Sequence, residues 1–189
     1  MAHIKTFIAV TASDRVNRNV TNVVQRLAAT GADYRWVAPE NLHVTLNFAG
    51  NIIDTEVLEF CSDIKSAVKD FSPFEMSLQG VGAFPTLEQP RTIWIGVDEG
   101  SEVLRSLYKK VEAVLSHWGV NKDRNEYVPH MTVGRIQRSG RWNESLQTAL
   151  HRLRNHDGGV CNVDSVIVFS SFQDNGGPTH TPMATIKLK

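Results

Sequence analysis

Only two cysteines, Cys61 and Cys161, occur in 189 residues. They stand far apart and fit no metal-ligand spacing, which excludes a disulfide framework and a cysteine-ligated zinc site. Buried thiols in a reducing compartment are expected instead. No charge of one sign dominates: 20 basic residues balance 20 acidic ones. Net charge therefore does not signal broad capture of a long nucleic acid, although it leaves room for a local basic cleft. No apolar run reaches transmembrane length. Met1-Ala2-His3-Ile4-Lys5 enters a strand pattern with no basic segment followed by an apolar one. The expectation is a cytoplasmic protein that stays off the membrane. A Gly-x-Ser-x-Gly elbow, a P-loop and a Gly-x-Gly-x-x-Gly turn after a strand are all missing. Gly80-Val81-Gly82 reads as strand-end geometry.

Two stretches are near copies: His43-Val44-Thr45-Leu46 and His130-Met131-Thr132-Val133, 87 positions apart. Serine and threonine fill 26 of 189 positions. With seven histidines, about one His-x-Ser/Thr arises by chance, so the bare pattern is weak. Context adds weight. Both copies use threonine, each follows turn-like residues (Pro39-Glu40-Asn41 and Pro129), and one falls in each half. In an extended strand side chains alternate between faces. His43 and Thr45 then share one face, His130 and Thr132 another, with apolar anchors beneath. The plain alternative is two ordinary strands with half-buried histidines.

Periodicity places strands at 3–10, 35–37, 42–48, 74–82, 91–97, 130–136, 163–172 and 181–188. Helices are expected at 13–29, from Asp54 to about 68, at 101–118 and at 143–155. Val16, Val20, Val23, Val24 and Leu27 form the apolar face of the first, and Val57, Leu58, Cys61, Ile64 and Val68 that of the second. Residues 121–129 read as loop, and Gly176-Gly177-Pro178 as the turn between the closing strands. Strands and helices mix without strict alternation. That favours an α+β fold with antiparallel sheets and outer helices. No linker divides residues 1–189, and the paired motifs hint at an internal duplication.

Two imidazoles facing one cleft can act as base and acid near neutral pH. On a 2′,3′-cyclic phosphate one would take the proton of attacking water while the other protonates the leaving ribose oxygen. Thr45 and Thr132 are placed as donors to the phosphoryl oxygens. Neither motif strand carries a carboxylate or an extra histidine of the kind metal clusters recruit. No metal and no cofactor are expected.

The chain resembles the 2H phosphoesterases, and among them the RNA 2′,3′-cyclic phosphodiesterases of the LigT type. The resemblance rests on both motifs, on Phe7-Ile8-Ala9, on Trp36 through Leu46, and on Phe48 with Gly50. It continues through Gly82-Ala83-Phe84-Pro85, Pro90-Arg91, Trp94, and Pro129 through Val133 with Arg135. It implies a bilobal α+β fold, two antiparallel sheets with pseudo-twofold symmetry about a central cleft, made by two intertwined lobes. It also implies metal-independent opening of 2′,3′-cyclic phosphate ends of RNA to 2′-phosphates; tRNA fragments are one candidate partner, and the oligomeric state is left open with a monomer favoured. His43 would be the acid and His130 the base. The alternatives are a 2′-5′ RNA ligase, a hydrolase of small cyclic nucleotides, and a non-catalytic module that binds RNA ends. Arg135 is a phosphate ligand only if Gly134 permits a bulge, since simple alternation turns it away from His130. Phe84, Arg91, Trp36 and His180 are candidates for the substrate groove, whereas Trp94 reads as core. Three positions depart from the family pattern: Asn47, on the face of His43 by alternation, Ser170 and His180.

Overall fold

A computed structural model describes residues 1–122, 125–138, 140–174 and 177–189. Residues 123 and 124 of the expected 121–129 loop, and Gly176 of the expected closing turn, lie outside the described residues. The strands are β1 (His3–Val10), β2 (Tyr34–Trp36), β3 (Val44–Ile53), β4 (Phe74–Pro85), β5 (Pro90–Val97), β6 (His130–Ile136), β7 (Asp157–Val163), β8 (Ser165–Asp174) and β9 (Gly177–Lys187). The helices are α1 (Asp14–Ala28), α2 (Val57–Val68), α3 (Ser101–His117) and α4 (Glu144–Arg152). No helix among the described residues is long and apolar enough to cross a membrane.

The strand order is β7-β4-β5-β6-β3-β1-β8-β9, with β2 on the free side of β6. All pairings are antiparallel. The two antiparallel sheets are thus wings of one ladder, joined through β3 and β6 at Val44 and Met131. Helices α1 and α4 pack on the wing of β2, β6 and β7, and α2 and α3 on that of β3 and β9. The chain crosses between wings: β1 lies in one, and the helix that follows it covers the other.

Local chemistry explains these elements. The Ser13 side chain accepts from the Val16 amide and starts α1, whose five expected apolar residues are all buried. Burying such a side chain contributes about 1.5–3 kcal/mol. Helix α2 departs from expectation. Asp54 opens a short 3-10 turn, Asp54–Glu56, rather than capping the helix, and Phe60, Ile64 and Val68 face inward. Leu58, expected inside, is exposed. It sits two residues from Phe60, so a rotation of about 200° puts it on the far side of the helix. Strand β7 has no counterpart in the sequence reading, because Gly158 and Gly159 weaken a strand pattern. A Cβ at Gly158 would stand 2.8 Å from the Leu78 Cβ, and Gly159 has φ +96°. Both glycines therefore permit the pairing with β4.

Candidate active site

The pairing of Val44 with Met131 sets the geometry of the site. Both are the second residue of their motif, both are fully buried, and the pseudo-twofold axis runs between them. One residue further each way along the antiparallel strands, His43 lies across from Thr132, and Thr45 across from His130. All four side chains then share the concave face of the sheet and are partly exposed there.

Each motif strand carries a β-bulge at the same place. Ala9 pairs with Thr45 and Ile8 with Asn47, so Leu46 is an extra residue in β3. Trp94 pairs with Thr132 and Ile93 with Gly134, so Val133 is an extra residue in β6. A bulge shifts the facing of every residue beyond it by one. In β6 this buries Gly134 and brings Arg135 to the concave face. There the guanidinium donates to Thr92 Oγ1 at 3.4 Å and its charge acts on both His43 and His130. In β3 the bulge buries Asn47, which simple alternation had placed beside His43, and exposes Phe48 on the concave face. Phe48 occupies the place symmetric to Arg135, with its ring 6.2 Å from that of Phe7. Residue counting alone missed Phe48; only a bulge signal in β3 would have found it.

The histidine rings are held alike. His43 Nδ1–H donates to the Asn41 carbonyl and His130 Nδ1–H to the Val128 carbonyl, each at 2.7 Å. A carbonyl only accepts, so each neutral ring keeps its proton on Nδ1 and leaves Nε2 free. Their surroundings differ. His43 lies against Phe7 (4.9 Å between centroids), His180 (5.4 Å) and Phe169 (6.3 Å). Phe7, Ala9, Ile167 and Phe169 form a small apolar cluster separate from the main core. His130 lies edge-on to Phe84 at 5.2 Å and 5.9 Å from Trp94.

Trp94 belongs to this floor rather than to the core. Its ring lies where a Cβ on Gly82 would come within 2.2 Å of it. Of the groove candidates, Phe84 and His180 are thus brought to the histidines. Trp36 is not: it covers the buried side of Gly134, whose Cβ would stand 2.6 Å from its ring. Arg91 is the unpaired residue between Pro90 and Thr92 in the β4–β5 ladder, and it is exposed.

Burial pushes His43 down to about 4, against the pull of the Asn41 carbonyl, while His180, Arg135 and His130 add repulsion. Burial also lowers His130, opposed by the Val128 carbonyl and helped by Arg135. Both rings are therefore neutral in the free protein at pH 7. For His43 this links folding to pH. The unfolded imidazole takes a proton below its ordinary 6.5 and the folded one resists, so stability is lost as pH falls toward 4. The loss is about 3 kcal/mol. Denaturant unfolding at pH 7 and pH 4 should show this loss in the wild type. The total acid loss should be smaller by that amount in His43→Asn, in which the lowered His130 and His180 still contribute their own acid loss. An equal acid loss in both proteins would contradict the assignment.

A pocket of about 720 Å³ opens off the cleft between β3, α3 and residues 120–122 and 125–128, touching Thr45, Asn47, Phe48, Phe84, Tyr127 and His130. It breaks the pseudo-symmetry. On β6 the matching edge is covered by β2. At β3 the Tyr127 hydroxyl instead donates to the Thr45 carbonyl at 2.9 Å. Asn47 Oδ1, in the pocket wall, is buried without a partner. Among the described residues no three His, Cys, Asp or Glu side chains converge to hold a metal ion.

Residues 15–174 match the family model of the 2′-5′ RNA ligase superfamily. An RNA 2′,3′-cyclic phosphodiesterase of Aquifex aeolicus is 33% identical over 148 residues, 78% of each chain. One from Methanothermobacter thermautotrophicus is 29% identical over 98% of this chain and 99% of its own. Among solved structures, TT0787 of Thermus thermophilus superposes with TM-score 0.81 at 18% identity, over 97% of both chains. Escherichia coli LigT complexed with 3′-AMP gives 0.77 at 17%, over 100% of this chain and 99% of that one. At such identities the two structures speak for the fold.

Proposed function

The chain belongs to the 2′-5′ RNA ligase superfamily, and from that premise we propose that it is an RNA 2′,3′-cyclic phosphodiesterase that opens cyclic phosphate ends to 2′-phosphomonoesters. The observation that carries this reading is the Val44–Met131 pairing, which sets two His-Thr pairs about one axis, each imidazole with Nε2 free. A cyclic phosphate between them meets a proton acceptor on one side and a proton donor on the other.

In this mechanism neutral His130 takes a proton from water as the oxygen attacks phosphorus. Protonated His43 gives one to the departing ribose 3′-oxygen. The apolar wall of Phe7 and Phe169 suits the donor, because burial makes an imidazolium a stronger acid. The substrate itself helps to charge that donor. Its negative charge offsets the repulsion from Arg135 and raises the affinity of His43 for a proton. Thr45, Thr132 and Arg135 hold the phosphoryl oxygens, where charge builds in the transition state. The pocket beside Thr45 and His130 is of a size that takes a nucleotide, and Phe84 offers an aromatic face to a base.

No step calls for a metal. The test is an oligonucleotide with a 2′,3′-cyclic phosphate end, its product resolved by mass and by the position of the phosphate. Turnover should yield the 2′-phosphate and survive EDTA unchanged. A loss of more than about tenfold, restored by a divalent cation, would replace this mechanism with Lewis-acid chemistry. Binding without turnover would make the protein an RNA-end binding module.

A further inference from the structure

A third imidazole stands in the cleft, and the acid–base pair leaves it unused. His180 lies on β9, in register with Ser171 of β8. Its ring is perpendicular to that of His43 (86°) at 5.4 Å and edge-on to Phe7 at 4.8 Å. The placement is built. Asn41 accepts the His43 Nδ1–H through its carbonyl and donates through Nδ2 to the Pro178 carbonyl at 2.9 Å. One residue thus ties the first motif histidine to the strand that carries His180.

His180 has no partner that explains its polarity. Its Nδ1 is buried without a hydrogen bond. From β1 it faces Lys5, and from the residue just before β3 it faces His43. From β8 its neighbours are the Phe169 ring and Ser171. Glu40, the carboxylate on the turn of Asn41, is exposed. His43 in turn feels Arg135 and His130. Among the described residues, the charged groups that act on these three imidazoles are cations, and what would settle them is an anion.

We propose that His180 is a further, proton-gated ligand for the substrate's phosphate: it gains a proton when a phosphate anion enters beside His43 and pairs with it there. The proposal rests on the reading of the cleft as a phosphoester site. Burial and the charge of Lys5 lower the proton affinity of His180 in the free protein. An anion reverses that balance, as it does for the other two rings. His180 would therefore strengthen phosphate binding at acid pH and add little at alkaline pH.

The probe is inorganic phosphate. Ring resonances of the wild-type histidines are followed through pH titrations with and without it, His180 being assigned from the spectra of His180→Phe and His180→Gln. Saturating phosphate should raise the His180 midpoint by about one pH unit or more. Inhibition by phosphate should weaken about tenfold in His180→Phe at pH 6 and less than twofold at pH 8. Ionisation of phosphate itself cancels in this comparison of variants. If the His43 or His130 midpoint rises and that of His180 stays, His180 only packs against Phe7, and the proposal fails while the phosphoester reading stands. If no midpoint moves, the cleft is not a phosphate site and both readings fail.

Discussion

Replacing His130 by alanine should slow turnover of an RNA 2′,3′-cyclic phosphate by about a thousandfold, and should do the same on a nitrophenyl phosphodiester. Water still has to lose a proton in both reactions. His43→Ala should match that loss on the cyclic phosphate, where a ribose alkoxide leaves poorly without a proton. On the nitrophenyl ester it should lose less than about tenfold, because nitrophenolate leaves without help. The motifs are symmetric about the Val44–Met131 pairing, so symmetry predicts equal behaviour. Their walls are not symmetric: Phe7, Phe169 and His180 surround His43, while Phe84 and Trp94 flank His130. The comparison is made under single-turnover conditions so that it reads the chemical step. Equal losses for His43→Ala on both esters would remove it from the acid role. Selective rescue of His130→Ala would exchange the two roles.

Gly134→Val should lower kcat/KM by about a hundredfold without touching a polar group of the site. A Cβ at this position meets Trp36 at 2.6 Å, and a branched side chain adds to the clash. Relief requires either displacing Trp36 or undoing the bulge at Val133. Overpacking of this kind destabilises by about 1–3 kcal/mol. Undoing the bulge turns Arg135 away from the phosphate, and a hydrogen bond to a charged group contributes about 1.5–3 kcal/mol. Arg135→Ala is the reference. It should reproduce the kinetic loss with the melting temperature nearly unchanged, since Arg135 is exposed. If Gly134→Val keeps activity within twofold of wild type, the bulge does not set the position of Arg135. Kinetics with the cyclic phosphate, paired with thermal unfolding of both variants, decides the matter.

The amino-acid pattern by itself determined the parts of this protein that depend on near neighbours. The apolar period of residues 16–27 wraps one face of α1, and all five of its expected residues are buried. Alternation within each His-x-Thr triplet puts imidazole and hydroxyl on one face, and it holds because both bulges fall just after the threonine. Composition and turn chemistry pointed to the mixed α+β class that the wings and their outer helices display.

Beyond the triplets the tertiary structure decided. A bulge is a mismatch between two strands, so the facing of Asn47, Phe48, Gly134 and Arg135 depends on β1 and β5 as much as on β3 and β6. Strand β7 exists because β4 accepts two glycines at close range, which no local propensity reports. Helix α2 presents Phe60, Ile64 and Val68 to α3 and β9, and at 100° per residue that stripe leaves Leu58 outside. His180 is 137 residues from His43 in the chain. Their rings meet because β9 pairs with β8, β8 with β1 and β1 with β3. Only that chain of pairings makes one cleft of residues that no spacing in the sequence connects.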